Sequence, residues 1–346
     1  MTPTQRFIDA CLRKPVDRPP VWMMRQAGRY LPEYRALRAR YDTLTMMKTP
    51  ELAAEITMQP VRRIGVDAAI LYSDILIVPD AMGLKLAFVE GEGPKFAEPV
   101  RSVSTLDRLQ TDGVAARAGF VYEAIGLIQK ALKSEATPEG PIPLLGFAGA
   151  PFTVATYMVE GGSSEHFAEI RTLMREQPDL LHGLLGKITV ATIDYLRGQS
   201  EAGVVALQLF GTWAGVLTPE DYEQWALPYT RKILSAMTVP TILFIKKGDH
   251  LLEKMVTAGS QVIGVDGRIT LSEARRRTGG KVALQGNFDP EKLLRPIPEI
   301  EQGVAAMISD WGGGPGYIMN LGHGILPETP VEHARAFVGA CQRYGG

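Results

Sequence analysis

Residues 178–210, PDLLHGLLGKITVATIDYLRGQSEAGVVALQLF, contain the unit that decides the fold. The first part, 178–197, predicts an amphipathic helix that opens with proline in its first turn, where a missing N–H costs nothing. The last part, 204–210, is a predominantly apolar run that is too short for a helix. A strand in which apolar and polar residues do not alternate has no solvent-exposed face, so we expect it in a parallel sheet that helices cover on both sides.

Similar apolar runs recur along the whole chain and alternate with helical segments. The eight runs are 21–24, 68–72, 142–147, 204–210, 241–245, 262–265, 282–284 and 317–321. Alternating strands and helices predict right-handed crossovers and a parallel sheet, and eight such units are the number that closes a (β/α)8 barrel. An open doubly wound sheet is the structural alternative.

The segments between the runs predict helices. They include residues 50–64, 114–133, 178–197, 219–237 and 330–344. No change of composition divides the chain, so we expect residues 1–346 to form a single α/β domain of the (β/α)8, or TIM, type. Residues 84–100, with EGEGP at 90–94, predict a hairpin excursion after the second strand.

Composition excludes several classes of protein. With 346 residues, of which 45% are hydrophobic and 22% charged, the chain can bury a large core and is neither disordered nor fibrous. A net charge of -1 with interspersed signs argues against partners such as nucleic acid or an anionic membrane. No run approaches the ~20 apolar residues of a membrane helix, and the N-terminus lacks a signal peptide's apolar segment. We therefore expect a soluble, cytoplasmic protein.

Polar residues follow nearly every apolar run. They are RQAGRY at 25–30, SD at 73–74, GTW at 211–213, KK at 246–247, Asp266, QGN at 285–287 and GHG at 322–324. In a barrel the carboxyl ends of all strands meet at one face, where the chemistry is done. The sequence therefore predicts one polar pocket at this face.

Arg25 and Arg29 are the strongest candidates for binding an anion. They flank Gln26, Ala27 and Gly28 directly after a buried run, where small residues let backbone N–H groups approach a ligand. Guanidinium groups bind carboxylates through two parallel hydrogen bonds. The remaining basic residues of 25–48 are more typical of a solvated helix face.

Asp74 follows one apolar run and precedes another, so its carboxylate leaves an apolar strand with no cation adjacent in sequence. Such a carboxylate can accept from N–H donors or stabilise a nearby cation. A role as a cap or in a salt bridge stays open.

Several kinds of site lack their usual signatures. The sequence contains no Gly-x-Gly-x-x-Gly, Walker loop, Gly-x-Ser-x-Gly or His-Glu-x-x-His motif. The two cysteines and five histidines show no metal-ligand spacing, so we predict no metal site. Cys11 and Cys341 are expected to be ordinary thiols, although a disulfide between them stays open.

Residues 20–35, PVWMMRQAGRYLPEYR, closely resemble the N-terminal signature of the uroporphyrinogen decarboxylase family. Further family-like blocks follow in the family's order over essentially the whole chain. They are YSDIL at 72–76, GFAGAPFT at 146–153, YMVEG at 157–161, QGNFDP at 285–290 and NLGHGI at 320–325.

This resemblance implies a cofactor-free barrel that removes CO2 from the four acetate arms of uroporphyrinogen, its small-molecule substrate, to give coproporphyrinogen. It implies that Asp74 accepts hydrogen bonds from pyrrole N–H groups and that Arg25 and Arg29 act on side-chain carboxylates. Tyr157, Thr212 and His323 would complete the wall, with Asp74, Arg25 and Tyr157 as the catalytic set. It also implies a homodimer.

Two positions depart from the family's pattern: Gly211 stands where an acidic residue is expected before Thr212, and Gly267 stands where an aromatic residue is usual after Asp266. Two alternative functions remain. One is a zinc- or thiol-dependent methyltransferase on a similar barrel, which needs a His/Cys ligand set near the last strands. The other is a tetrapyrrole-binding protein that has lost turnover.

Overall fold

The computed structural model describes residues 1–89 and 91–346, so Glu90, at the centre of the predicted hairpin, lies outside the described residues. The described chain is an α/β fold with a curled parallel sheet of seven strands and a separate antiparallel pair. The strands are β1 Ala69–Ile70, β2 Leu86–Val89, β3 Gly93–Phe96, β4 Leu144–Gly149, β5 Ala206–Phe210, β6 Thr241–Phe244, β7 Val262–Gly264, β8 Ala283–Phe288 and β9 Tyr317–Leu321.

The strands lie in the sheet in the same order as in the chain. The order is β1-β4-β5-β6-β7-β8-β9, and every neighbouring pair is parallel. A doubly wound sheet reverses its strand order at a switch point, so that alternative is wrong. Strands β2 and β3 pair antiparallel with each other only, with Leu86 opposite Phe96.

The first predicted strand, 21–24, is reduced to a bridge at one residue. Val21 pairs in parallel with Met319 of β9, and its carbonyl accepts a hydrogen bond from the Asp67 N–H at 2.8 Å. The run does not extend as a ladder because the N–H groups of Met23 and Met24 donate to side chains, Gln26 Oε1 and Asn320 Oδ1. The four-residue strand prediction is therefore corrected to a single bridging residue.

Helices connect the strands and cover the sheet. They are α1 Pro3–Cys11, α2 Pro32–Arg38, α3 Thr43–Lys48, α4 Pro50–Ile64, α5 Ile77–Ala81, α6 Val103–Asp107, α7 Val114–Arg117, α8 Gly119–Ser134, α9 Pro151–Glu160, α10 Ala168–Glu176, α11 Pro178–Glu201, α12 Pro219–Trp225, α13 Leu227–Ser235, α14 Leu252–Val256, α15 Leu271–Thr278, α16 Ile297–Trp311 and α17 Val331–Tyr344. Short 3-10 helices span Thr212–Val216, Asp249–Leu251 and Pro290–Leu294.

Two of the predicted helices are each divided in two. The segment 114–133 breaks at Ala118, directly before Gly119, which is a weak helix former. The segment 219–237 breaks at Ala226, two residues before Pro228. Proline lacks the N–H that would continue the helix, and its ring clashes with the carbonyl four residues earlier.

Polar and aromatic side chains of several strands contact one another within the sheet. Trp22 Nε1 donates to Gln285 Oε1 at 3.0 Å, and Gln285 Nε2 donates to Gln208 Oε1 at 3.0 Å. The oxygen of Gln208 is therefore paired, whereas its buried Nε2 has no hydrogen-bond partner among the described residues. Nearer the carboxyl ends lie aromatic rings, with Phe210 5.6 Å from Phe147 and 6.3 Å from Phe244 between ring centroids.

Within the described residues, no helix is long and apolar enough to span a membrane. Cys11 on α1 and Cys341 on α17 are buried free thiols, so no disulfide joins them. Burial raises the pKa of both thiols well above the usual range. They are therefore poor nucleophiles and metal ligands.

Candidate active site

Arg25 lies at the turn that follows the bridging residue Val21. Its backbone is left-handed, with φ of 63°, which is uncommon for a residue with a side chain and recurs at functional sites. The side chain is exposed, and its charge acts on Asp74, Tyr157 and His323. The charge of one guanidinium group therefore influences three of the residues that the sequence predicts for the pocket.

Asp74 follows β1 and precedes α5. Its Oδ1 atom accepts a hydrogen bond from the Leu76 N–H at 2.8 Å, which stabilises the turn before α5, although α5 has no side-chain cap. Burial raises the pKa of the carboxyl to about 6, and the Leu76 N–H and the Arg25 charge oppose that rise. Asp74 forms no ion pair within 4.0 Å with a described residue, and its second oxygen makes no hydrogen bond with them. The charge is thus available to a ligand.

Tyr157 and Thr212 lie on two neighbouring elements. Tyr157 lies on α9, and its ring centroid is 5.9 Å from that of Trp213. Thr212 and Trp213 begin a 3-10 helix, which Thr153 fixes by accepting from the Trp213 N–H at 3.1 Å. Burial raises the pKa of the Tyr157 phenol. The group therefore stays protonated at neutral pH and can donate a hydrogen bond.

His323 follows β9 and is partly buried, with its ring 6.3 Å from that of Phe244. Burial lowers its pKa to about 4, and the charges of Arg25 and Lys246 lower it further. The imidazole is therefore neutral at physiological pH. It can exchange a hydrogen bond with a ligand but does not add a third positive charge.

The residues between the two predicted arginines have different surroundings. Gln26 is fully buried, its side chain accepting from the Met23 N–H at 3.0 Å and donating to the Ala68 carbonyl at 2.9 Å. Its amide thus ties the first run to the segment before β1. Ala27 and Gly28 are partly buried, and Ala27 packs against the core. Arg29 is exposed, and no described contact joins its guanidinium to Asp74.

A family model described as uroporphyrinogen decarboxylase (URO-D) matches residues 2–344. The chain belongs to the uroporphyrinogen decarboxylase family. It is 46% identical over 347 residues to a uroporphyrinogen decarboxylase of Idiomarina loihiensis, covering 98% of this chain and 95% of the relative. It is 48% identical over 343 residues to one of Hydrogenovibrio crunogenus, covering 97% and 95%.

A solved structure shares the fold at low sequence identity. A methyltransferase from Methanosarcina mazei superposes with a TM-score of 0.82 over 100% of both chains, at 22% identity. At that identity the likeness concerns the fold alone. It agrees with an α/β architecture around a curled parallel sheet.

The two departures from the uroporphyrinogen decarboxylase pattern have different surroundings. A Cβ atom on Gly211 would lie 3.0 Å from Ile245 Cγ1 and 3.3 Å from the Phe244 carbonyl oxygen, so a larger residue would press on the end of β6. A Cβ on Gly267 would meet nothing closer than the Asn287 oxygen at 3.7 Å. Gly211 therefore permits close packing against the end of β6, whereas Gly267 leaves open space at the rim of the site.

The aromatic side of the site was not predicted from the family resemblance. Phe210 is partly exposed at the end of β5, and Trp213 packs against both Tyr157 and Phe167. A signal was present, because several apolar runs carry phenylalanine at or near their carboxyl ends. These rings form an apolar surface beside the charged groups, as a ligand with an aromatic body and charged arms requires.

A cavity of about 920 Å³ lies away from these residues. It is lined by Asp289, Glu291, Lys292, Leu294, Arg295, Glu299, Gln302, Gly303, Ala306 and Leu326. Its acidic and basic side chains come mostly from one 3-10 helix and α16, and none is a predicted site residue. Over residues 1–89 and 91–346, no group of three His, Cys, Asp or Glu side chains could hold a metal ion.

Proposed function

We propose that this chain decarboxylates the four acetate side chains of uroporphyrinogen to give coproporphyrinogen, a step of tetrapyrrole biosynthesis. The observation that carries the proposal is the grouping of Asp74, Arg25, Tyr157 and His323 at one end of the sheet, in a chain that matches the family over residues 2–344. The names of the curated relatives support the same carboxy-lyase activity.

In this proposal the substrate's own pyrrole ring serves as the electron acceptor. Protonation of a pyrrole carbon turns the ring into a cation that accepts the electrons of the C–C bond to the departing carboxylate. CO2 leaves, the residual methylene takes up a proton to become a methyl group, and the ring carbon releases the proton that it first accepted, so each acetate consumes one proton in total. The protein has to stabilise the cation and desolvate the carboxylate.

Each catalytic residue has a distinct role in this proposal. Asp74 accepts from the pyrrole N–H groups and offsets the ring cation with its free oxygen. Arg25 holds the reacting carboxylate, because the guanidinium fork can bind a carboxylate through two parallel hydrogen bonds. Tyr157 donates a hydrogen bond, since its raised pKa keeps the phenol protonated.

The binding residues surround this set. Arg29 binds a second carboxylate arm, and Thr212 and His323 line the wall. Ala27 and Gly28 allow close approach of backbone groups to the substrate, and Gln26 contributes by fixing that turn rather than through a free amide.

We infer three further properties. The sheet closes into a (β/α)8 barrel through Val21, an inference supported by its bridge to Met319 and its bond from Asp67. The protein is a homodimer and acts in the cytoplasm, and both properties rest on the family resemblance. Light scattering on the purified chain tests the dimer, for which a mass of twice 37.8 kDa is expected.

Anaerobic incubation with uroporphyrinogen is the direct test of the activity. We expect progressive loss of carboxylates from eight to four, measured on the oxidised porphyrins after separation by carboxylate number. Binding of the substrate with only the eight-carboxylate species recovered would refute the activity and favour a tetrapyrrole-binding protein.

We expect activity to survive exhaustive chelation, because the site residues are not those of a zinc centre. The measurement is the decarboxylation rate before and after dialysis against a strong chelator, with metal content determined in parallel. Loss of activity that zinc restores would instead favour the methyltransferase type of site.

Arg29→Lys should raise KM more than it lowers kcat. The exposed guanidinium is expected to bind a substrate arm equally in the ground and transition states, and lysine keeps the charge but loses the two-pronged geometry. Steady-state kinetics of the parent and the variant measure the changes in KM and kcat separately. Arg40→Lys is a matched control, because the Arg40 guanidinium stacks on Tyr41 and is not assigned to the substrate. A fall in kcat at unchanged KM would place Arg29 in the chemical step.

A further inference from the structure

Lys246 is a partly buried cation at the carboxyl end of β6, one of the polar residues expected at the pocket face but without a role so far. Among the residues that the structure describes, its ammonium forms no ion pair and no hydrogen bond. It follows Phe244 by two residues, and the Phe244 ring lies 6.3 Å from that of His323. A partly buried cation without a protein anion is a candidate for binding an anionic ligand.

The backbone around Lys246 is packed from two sides. A Cβ atom on Gly215 would overlap the Lys246 carbonyl oxygen, so the 3-10 helix that begins at Thr212 lies directly against this turn. On the other side, the Lys247 N–H donates to Asp266 Oδ2 at 2.6 Å. Lys246 is therefore held between the element that carries Thr212 and the end of β7.

Asp266 gives this turn its shape. Its two oxygens accept from backbone donors of two loops, Lys247 N and, at 3.1 Å, Arg268 N. Lys247 has a left-handed backbone with φ of 55°, a conformation that costs energy in a residue with a side chain and that the surrounding structure must hold. The carboxylate therefore supports a strained turn, and that turn fixes the position from which Lys246 projects.

Lys246 and His323 both follow strands at the carboxyl end of the sheet, and the Phe244 ring, two residues before Lys246, lies 6.3 Å from that of His323. The two cations that act on His323 are Arg25, which follows the first run, and Lys246, which follows β6. They approach the imidazole from different elements, and Asp74 is the acidic group that faces Arg25. With Arg29, the proposed site has more cations than Asp74 alone can offset, as a substrate with several carboxylates requires.

We propose that Lys246 is a further substrate-binding residue whose ammonium holds a carboxylate arm of the tetrapyrrole on the His323 side of the site, with Asp266 as its positioning residue. This inference rests on the proposed function. The bound arm is either an acetate, which loses its carboxylate in the reaction, or a propionate, which persists. The two cases differ in the substrates for which substitution of Lys246 should raise KM.

The test compares Lys246→Met, Lys246→Arg and the parent in steady-state decarboxylation. Lys232→Met, which removes an exposed lysine of α13, is the matched control. We expect Lys246→Met to raise KM for uroporphyrinogen by about tenfold or more with kcat within about threefold, as for loss of a hydrogen bond to a charged group. Arginine should restore KM to within about threefold, and Asp266→Asn should raise KM by a smaller factor.

A second substrate identifies which carboxylate arm Lys246 binds. The five-carboxylate intermediate has lost three acetates but keeps all four propionates, so an equal rise in KM for both substrates indicates a propionate. A rise confined to uroporphyrinogen indicates an acetate. An independent readout is the titration of His323 by NMR, whose pKa should rise in Lys246→Met and not in Lys232→Met.

Different results would refute this inference and the proposed function. If the parent makes no coproporphyrinogen, the function is wrong. If the parent turns over normally and Lys246→Met keeps a KM within about twofold, Lys246 does not bind the substrate. An equal fall in kcat and kcat/KM with no rescue by arginine would also overturn the inference, because it indicates a structural role.

Discussion

Asp74→Asn is expected to lower kcat by at least about 10²- to 10³-fold, the usual effect of removing one preorganised charge-stabilising group. Asparagine keeps the size of the side chain and an oxygen that can accept from the Leu76 N–H, so the turn into α5 should persist. It removes the negative charge that offsets the ring cation. KM should change far less than kcat, because the cation exists only along the reaction path.

Single-turnover decarboxylation by Asp74→Asn and Asp74→Glu measures this effect. Asp74→Glu should retain partial activity, because the anion survives in a displaced position. The parent's kcat/KM should also fall as pH drops below about 6, the pKa to which burial raises the Asp74 carboxyl, since protonation removes the same charge. That acidic limb should be absent from Asp74→Asn. A rate for Asp74→Asn within tenfold of the parent would make the carboxylate a structural cap.

Stability provides the control for folding. The pKa of Asp74 is raised in the folded state above its ordinary value of 3.8, so ionisation disfavours the folded state as pH rises through about 4 to 6. The amide side chain of Asp74→Asn cannot ionise, so this variant does not lose stability as the pH rises. Its free energy of unfolding should therefore equal or exceed the parent's at pH 7.5, with a smaller advantage at pH 4.5, as measured by denaturant unfolding.

Gly324→Ala is expected to lower kcat/KM by roughly 10- to 100-fold, the loss that follows when a hydrogen bond to a charged group is broken. A Cβ atom on Gly324 would overlap Arg25 Cδ and lie 2.8 Å from its Cγ and 2.9 Å from its Nε. The methyl group would displace the guanidinium while leaving its charge intact. The Gly324 backbone is not left-handed, so alanine adds no strain of its own.

A double-mutant cycle separates displacement of Arg25 from other effects of the methyl group. If Gly324→Ala acts through Arg25, it should change little further in an Arg25→Ala background, because contacting residues do not add independently. Gly339→Ala in α17 is the matched control, since nothing lies within 4 Å of its Cβ position. Additive losses in the double mutant would show that Gly324 does not act by positioning Arg25.

The sequence by itself determined those parts of the fold that depend on local chemistry. Helix α4 begins at Pro50 and ends at Ile64 as predicted, because proline favours the first turn and Gly65 adopts the left-handed cap. Strand β9 spans Tyr317–Leu321, also as predicted. Short apolar runs bounded by turn residues mark such strands, and their alternation with helices predicts a parallel sheet in chain order. The family followed from contiguous motifs.

Side chains that are distant in sequence decided the rest. The run 21–24 forms one bridge instead of a strand, because Asn320, almost 300 residues away, accepts from the Met24 N–H. Gln26 is buried in backbone hydrogen bonds rather than free in the pocket. A strand propensity or a motif carries no information about which remote donor or acceptor will reach the backbone.

Only the tertiary structure decided the electrostatics of the site. Asp74 and His323 have pKa values near 6 and 4 because of burial and of neighbours that come from separate strand ends. The same is true of the contact between Gly324 and Arg25 and of the position of Lys246 between two loops. Charge interactions depend on distance and on exclusion of water, and both are properties of the assembled sheet.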